Sequence, residues 1–96
     1  MKELIILGGA NGSGKITSSK QILAETGFLF LNADEIEKEL AVSKLQAGKE
    51  FFKRLDEFIS TERSFVLEST LSGNYLIDAI KKAKTKGYFV KIVYVS

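Results

Sequence analysis

The chain has 96 residues with 45% hydrophobic and 27% charged side chains, and its formal net charge is +2. This composition is too apolar for a disordered segment, and its mixed charges give no support for nucleic-acid binding. The absence of cysteine and histidine excludes disulfides, thiolate nucleophiles and histidine general bases.

The first third of the chain predicts a strand, a helix and a second strand. Residues 4–7 form an unbroken apolar run that ends at two glycines, which is typical of a strand buried on both faces of a parallel sheet. Residues 15–26 are compatible with a helix, and Gly27 is placed to end it in the left-handed conformation. Residues 28–31 then predict a short second strand.

Two helix-start patterns follow. Asn32 with Glu35 three residues later predicts a capped helix to about residue 40, and Ser43 with Gln46 predicts another to about residue 60. The second helix carries an apolar face with a spacing of three and four residues, which we interpret as core. The members of this face are Phe51, Phe52, Leu55, Phe58 and Ile59.

The last third predicts a strand at 64–68, a helix at 73–86 closed by Gly87, and a strand at 88–95. Alternating strands and helices with short connections predict an open parallel α/β sheet. The helix carries a lysine group that we interpret as a solvated face. Its members are Lys81, Lys82, Lys84 and Lys86. No apolar run approaches the roughly 20 residues that span a bilayer, so we expect one cytoplasmic domain over residues 1–96, without membrane contact.

The motif with the clearest chemistry lies between the first strand and the first helix. The segment Gly9-Ala10-Asn11-Gly12-Ser13-Gly14-Lys15 has the glycine and lysine spacing of a phosphate-binding P-loop. Its amides, the helix N-terminus and the lysine charge together favour a bound oxyanion, which predicts that residues 9–17 hold nucleotide phosphates. The alternative is a glycine-rich turn without a ligand.

The signature departs from its usual form at one position. Ile16 stands where a serine or threonine normally coordinates Mg²⁺. Thr17 is one residue further and about 100° round the helix, so it is a weak candidate for that ligand. We therefore expect ATP or GTP to bind with a weakened magnesium contact, and no side chain is assigned as a metal ligand.

Two acids stand at predicted strand ends, where open α/β sheets bind their ligands. Asp34 follows the second strand and could accept the proton of an attacking hydroxyl. Glu68 ends the third strand and could orient the substrate. The alternative is that Asp34 only stabilises a helix N-terminus and that Glu68 is a solvated strand-end acid.

Taken together, these motifs resemble the N-terminal part of the zeta toxin family of P-loop kinases. The matching stretches are residues 8–15, 32–36, 68–73 and 87–90. The resemblance implies an ATP-dependent phosphotransferase with strand order 2-3-1-4. Its best-known members phosphorylate a hydroxyl of UDP-N-acetylglucosamine and are held inactive by a partner antitoxin. The resemblance also implies catalytic roles for Lys15 and Asp34, and substrate contacts by Asp34, Glu68 and Thr70.

The family continues past the fourth strand with a fifth strand and an arginine-bearing lid, neither of which matches any part of this chain. Such an arginine contributes about 10³- to 10⁵-fold in rate, so we expect weak catalysis. Two alternatives stay open, another small-metabolite kinase and a non-catalytic interaction module. Strand 88–95 favours the second, because it carries apolar side chains on both faces and predicts self-association or a partner. They are Tyr88, Phe89, Val90, Ile92, Val93, Tyr94 and Val95.

Overall fold

The structure is a computed structural model that describes residues 2–8, 15–69 and 74–94. Its strands and helices follow the predicted order. The strands are β1 (Glu3–Gly8), β2 (Leu29–Leu31), β3 (Phe65–Ser69) and β4 (Phe89–Tyr94). The helices are α1 (Lys15–Thr26), α2 (Ala33–Leu40), α3 (Lys44–Ser60) and α4 (Asn74–Thr85).

The sheet is open and parallel, with the strand order β2-β3-β1-β4. Strand β1 lies between β3 and β4, and its pairing with both is continuous along its length. Strand β2 is shorter and pairs only with β3, from Leu29 opposite Phe65 to Leu31 opposite Leu67. The predicted fold class and strand order are both confirmed.

Helices cover both faces of the sheet, as predicted. One face packs against α2, α3 and α4 around a cluster that includes Leu4, Phe65 and Leu67. The opposite face packs against α1 around Ile5 and Val66, which are neighbours across the β1–β3 pair. Alternate residues of one strand therefore enter different hydrophobic layers, and this explains why β1 is an unbroken apolar run.

Capping groups confirm the predicted starts of α2 and α3, and two glycines confirm the predicted ends of α1 and α4; the predicted start of α4 at Gly73 lies outside the described residues. The side-chain oxygen of Asn32 accepts a hydrogen bond from Glu35 N at 3.0 Å, and Ser43 Oγ accepts one from Gln46 N at 3.2 Å. Gly27 has a φ angle of 69° and Gly87 one of 85°, conformations that favour glycine at the end of a helix. No helix within the described ranges is long and apolar enough to cross a membrane.

Two assignments of individual aromatic residues were wrong. Phe52 is 44% exposed, because it lies beside the core face of α3 rather than on it. Its ring contacts the buried Phe51 edge-on, with centroids 5.5 Å apart. Tyr88 precedes β4 and is only 6% exposed, so it belongs to the core and not to an exposed strand surface.

The predicted exposure of β4 is confirmed at three positions. Phe89 is 53% exposed, Ile92 is 65% exposed and Tyr94 is 75% exposed. Val90 and Val93 are half-buried against the two core clusters. The predicted member Val95 lies outside the described residues. By the register with β1, Phe89 lies on the face of the sheet that α1 covers, whereas Ile92 and Tyr94 lie on the opposite face, so both faces of β4 carry exposed apolar side chains.

Tyr88 connects three parts of the chain at the amino-terminal edge of the sheet. Its hydroxyl lies 2.9 Å from the carbonyl oxygen of Phe58 in α3 and 2.7 Å from that of Arg63, which precedes β3. Burial raises the pKa of the Tyr88 phenol, and the nearby charge of Glu62 adds to this shift. The neutral hydroxyl is therefore the form that the fold stabilises.

The Tyr88→Phe variant is expected to lose about 1–3 kcal/mol of unfolding free energy, because two carbonyl groups lose a shared donor. Urea unfolding at neutral pH measures this loss, and Tyr94→Phe is the exposed control.

The stabilisation from Tyr88 is fully present below the unfolded pKa of about 10, and it is lost as the pH rises through the higher folded pKa. The unaltered chain should therefore lose more stability above pH 10 than Tyr88→Phe does. Equal pH dependence in both chains would contradict this assignment.

Candidate functional site

The candidate site lies at the carboxyl-terminal edge of the sheet. Because all described strand pairs are parallel, Gly8, Leu31, Ser69 and Tyr94 end their strands at this edge. The chain passes from β1 to β2 by way of α1 on one face, whereas it passes from β3 to β4 by way of α4 on the other. This change of direction between β1 and β3 is the point at which open α/β sheets bind ligands.

The predicted phosphate-binding segment begins at this point. Gly9, Ala10, Asn11, Gly12, Ser13 and Gly14 lie outside the described residues. The elements on either side are those that the signature requires, since β1 ends at Gly8 and α1 begins at Lys15. Lys15, Ile16 and Thr17 form the first turn of α1. Phosphate binding by this segment stays a prediction.

Glu68 lies one residue before the end of β3, next to the start of the phosphate-binding segment. It is paired with Leu7 of β1, and the following pair joins Ser69 to Gly8. This register places Glu68 on the face of the sheet that α1 covers, and its side chain is half-buried. Thr70, the next predicted substrate residue, lies outside the described residues.

Asp34 occupies the first turn of α2, three residues beyond the end of β2. The turn is fixed by the Asn32 cap, and the side chain of Asp34 is exposed. A carboxylate at this position is favoured by the helix dipole and accessible to solvent. Asp34 is therefore accessible to a substrate at the edge where β1 also ends.

Asp34 also contributes to an open surface depression between α2 and the start of α3. Its other lining residues are Glu37, Lys38, Val42 and Lys44. Among the described residues, Glu68 does not line this depression, and the two predicted acids share only the edge at which their strands end. The depression combines two acids, two lysines and one apolar residue.

The sequence analysis missed Lys38 and Lys44 as neighbours of the predicted base. Lys38 follows Asp34 by four residues, a spacing that places two side chains on one helix face and could have identified it. Lys44 begins α3, and its position depends on how α3 packs against α2. Nothing in the local sequence determines that packing.

The orientation of α2 is fixed by one buried side chain and one ion-pair group. Ile36 is 2% exposed and belongs to the core between the sheet and the helices. Arg54 of α3 contacts Glu39 of α2 at 3.6 Å and Glu50 of its own helix at 3.1 Å. Burial opposes the charge of Arg54, but the hydrogen bonds to Glu50 and Glu39 outweigh it, so the pKa of Arg54 is raised. This ion-pair group therefore stays charged and connects the two helices.

Solved structures share this architecture. A chain of the PezAT chromosomal toxin–antitoxin system of Streptococcus pneumoniae superposes on 98% of this chain with a TM-score of 0.79 and 21% identity, and 46% of its own length is covered. A protein of Chloroflexus aurantiacus described as a kinase superposes with a TM-score of 0.77 and 16% identity. The superposition covers 98% of this chain and 59% of the length of that protein. This chain therefore shares the α/β fold of these structures.

A sugar kinase from Janibacter sp. is similar over the whole of this chain and 61% of its own length, with a TM-score of 0.63 and 17% identity. Among curated sequences, an uncharacterised protein of Haemophilus influenzae is 31% identical over 93 residues. That alignment covers 91% of this chain, and the chain spans 65% of the length of the relative. No model of a protein family matches the sequence.

Within the described ranges, no three or more acidic side chains are grouped so that they could hold a metal ion. In the predicted magnesium site, the residue after Lys15 would be a ligand of the metal. That residue is Ile16, whose side chain has no oxygen atom.

Proposed function

We propose that this chain is a zeta-toxin-like phosphotransferase domain, which transfers the γ-phosphoryl group of ATP or GTP to a hydroxyl group. The observation that carries the proposal is an arrangement at the carboxyl-terminal edge of the sheet. The segment from Gly9 to Lys15 joins β1 to α1 there, and Asp34 follows the strand β2 at the same edge. The proposed phosphate site and the proposed base therefore follow strands that end at the same edge of the sheet, with β3 between them.

In the proposed reaction, the main-chain N–H groups of residues 12–15 and the Lys15 ammonium bind the phosphates. The acceptor oxygen forms a bond to the γ-phosphorus, and the bond from that phosphorus to the bridging oxygen breaks. The nucleoside diphosphate leaves with the bonding electron pair, and Asp34 accepts the proton of the hydroxyl group. Glu68 and Thr70 orient the acceptor.

Magnesium would neutralise charge on the phosphates when bound with the nucleotide. The residues present fit the phosphates better than they fit the metal, because Ile16 replaces the usual hydroxyl and Thr17 is one residue further along the sequence, a step of about 100° in an α-helix. We therefore propose that a weakened magnesium contact at Ile16 slows the transfer.

The proposal also includes an acceptor for the phosphoryl group and a protein partner. The resemblance to zeta toxins supports a hydroxyl of UDP-N-acetylglucosamine as the acceptor. The similarity to a chain of the PezAT toxin–antitoxin system supports an antitoxin as the partner. We further propose that residues 1–96 act as one domain and that the protein works in the cytoplasm.

The direct test of the proposal is nucleotide binding by the Lys15→Ala variant. Titration with magnesium ATP and magnesium GTP should show a loss of affinity of about 10- to 150-fold, the effect of removing a hydrogen bond to a charged group. Lys20→Ala is the matched control, because Lys20 is an exposed lysine of the same helix. Binding that is unchanged in Lys15→Ala would refute the phosphate site.

Two alternatives predict different outcomes in a turnover assay. Another small-metabolite kinase would phosphorylate a different hydroxyl acceptor in preference to UDP-N-acetylglucosamine. A non-catalytic nucleotide-binding or interaction module would bind nucleotide without releasing diphosphate in the presence of any acceptor.

A further inference from the structure

Helix α2, which carries the proposed base Asp34, is held to the core by few apolar contacts. The helix has eight residues, or about two turns, and Ile36 is the one that is fully buried. Ala33 packs only partly against the same core. Both contacts lie on one side of α2, so they fix its distance from the core better than its rotation about its own axis.

Asp34 is a position at which such a rotation has a large effect. With about 100° per residue, Asp34 lies about 160° round the helix from Ile36, and its side chain is exposed. A carboxylate about 5–6 Å from the helix axis moves by about 1 Å when the helix rotates by about 10°. Misplacement by about 1 Å can cost about 10²-fold in rate. The rotation of α2 therefore matters for the proposed proton transfer.

An ion pair on another side of α2 resists this rotation. Glu39 lies about 60° round the helix from Ile36, and its Oε2 is 3.6 Å from Nη1 of Arg54 in α3. Helix α3 is a firm support, since it has 17 residues and its core side is buried. The buried residues of α3 are Ala47, Phe51, Leu55 and Ile59. The ion pair therefore connects α2 to a helix whose own orientation is fixed by the core.

Arg54 is itself held in position by its own helix. Its Nε donates a hydrogen bond to Oε1 of Glu50 at 3.1 Å. Glu50 precedes Arg54 by four residues, which is the more favourable order for an acid and a base on one helix. The Arg54 side chain is 26% exposed, so solvent screens its charge less than that of a fully exposed side chain. Arg54 thus belongs to a group of three charges rather than to an isolated surface pair.

We propose that Arg54 is a positioning residue for the proposed base, on which it acts through Glu39 and the rotation of α2. This inference rests on the proposed function, because it concerns the transfer of a proton to Asp34. Arg54 contacts neither Asp34 nor the reacting groups in this role. Glu39 and Asp34 are five residues apart in α2, a separation of about 7.5 Å along the helix axis. A helix of this length transmits the restraint from one end to the other.

The alternative is that Arg54 contributes only to stability. An ion pair of this exposure contributes little to the free energy of unfolding, so its loss leaves almost all of the protein folded. A purely stabilising role therefore predicts an unchanged turnover rate. A positioning role predicts a fall in kcat without loss of folded protein.

The first test compares Arg54→Gln with Lys53→Gln. Lys53 is an exposed neighbour in α3, so its replacement removes the same charge from the same helix. Arg54→Gln should lower kcat for diphosphate release by about 10-fold, because the base is misplaced. The KM of the acceptor and the affinity for magnesium ATP should change by less than about two-fold, since uniform binding is retained. Lys53→Gln should leave all three quantities unchanged. Equal kcat values in the two variants would overturn the proposal.

Two combinations distinguish positioning from a general loss of structure. Glu39→Gln should lower kcat as much as Arg54→Gln does, and the double variant should fall no further, because both changes break one contact. In an Asp34→Asn background, Arg54→Gln should have no additional effect, since the group that it positions is absent. A full effect of Arg54→Gln in that background would overturn the proposal.

Hydrogen exchange of the α2 main chain tests the same contact without turnover. The amides of residues 37–40 should exchange about 1.5- to 5-fold faster in Arg54→Gln than in the unaltered chain, the effect of losing an ion pair of this exposure. Unchanged exchange would overturn the role of Arg54 even if kcat falls. If the unaltered chain releases no diphosphate with any acceptor, the proposed function fails, whereas the exchange rates still decide whether Arg54 holds α2.

Discussion

Replacement of Asp34 by asparagine is expected to lower the rate of phosphoryl transfer by about 10²- to 10⁴-fold, the usual contribution of a positioned general base. An amide cannot accept the proton of the attacking hydroxyl, whereas its size matches that of the carboxyl group. Nucleotide affinity should stay unchanged, because Asp34 follows β2 and the phosphate segment follows β1. The measurement is release of nucleoside diphosphate in the presence of UDP-N-acetylglucosamine.

The matched control for this prediction is Glu35→Gln. Glu35 is the next residue in the first turn of α2 and is also exposed, so its replacement removes the same charge from the same helix end. Both variants are assayed in the unaltered chain and in an Ile16→Ser background, which restores a hydroxyl after Lys15. An equal effect of Asp34→Asn and Glu35→Gln would show that Asp34 acts only on the helix dipole.

The features that the sequence predicts best are local ones. The caps at Asn32 and Ser43 and the helix end at Gly27 each depend on residues within a few positions along the chain. The alternation of strands and helices then restricts the topology to a parallel sheet with helices on both faces. This explains why the eight described elements could be predicted from the sequence pattern, whereas the strand order was implied by the resemblance to zeta toxins.

The features that the sequence does not predict depend on distant residues. The hydroxyl of Tyr88 contacts carbonyl groups of Phe58 and Arg63, which lie 30 and 25 residues away in the chain. No local pattern indicates these partners. From the sequence alone, Tyr88 therefore cannot be distinguished from an exposed residue of the strand that follows it. The grouping of Lys44 with Asp34 depends in the same way on the packing of α2 against α3. Site geometry of this kind requires the tertiary structure.

Phe65 is the residue at which the largest loss of stability is expected. It begins β3 and is completely buried, with Leu4 of β1 on one side and Leu29 of β2 on the other. Its ring lies 5.3 Å from that of Phe58 in α3 and 6.1 Å from that of Tyr88, measured between centroids. One side chain therefore joins neighbouring strands, a helix and the start of β4.

The Phe65→Ala variant should lose about 3–5 kcal/mol of unfolding free energy, the usual cost of removing a buried aromatic ring. Small domains have only about 5–15 kcal/mol in total, so the variant should be close to unfolding at 37 °C. Urea unfolding measures the loss, and Phe65→Leu should cost much less because it keeps most of the volume. Phe89→Ala removes the same ring from a strand position that is 53% exposed, and it should cost far less. Similar losses for Phe65→Ala and Phe89→Ala would mean that the core is not centred on β3.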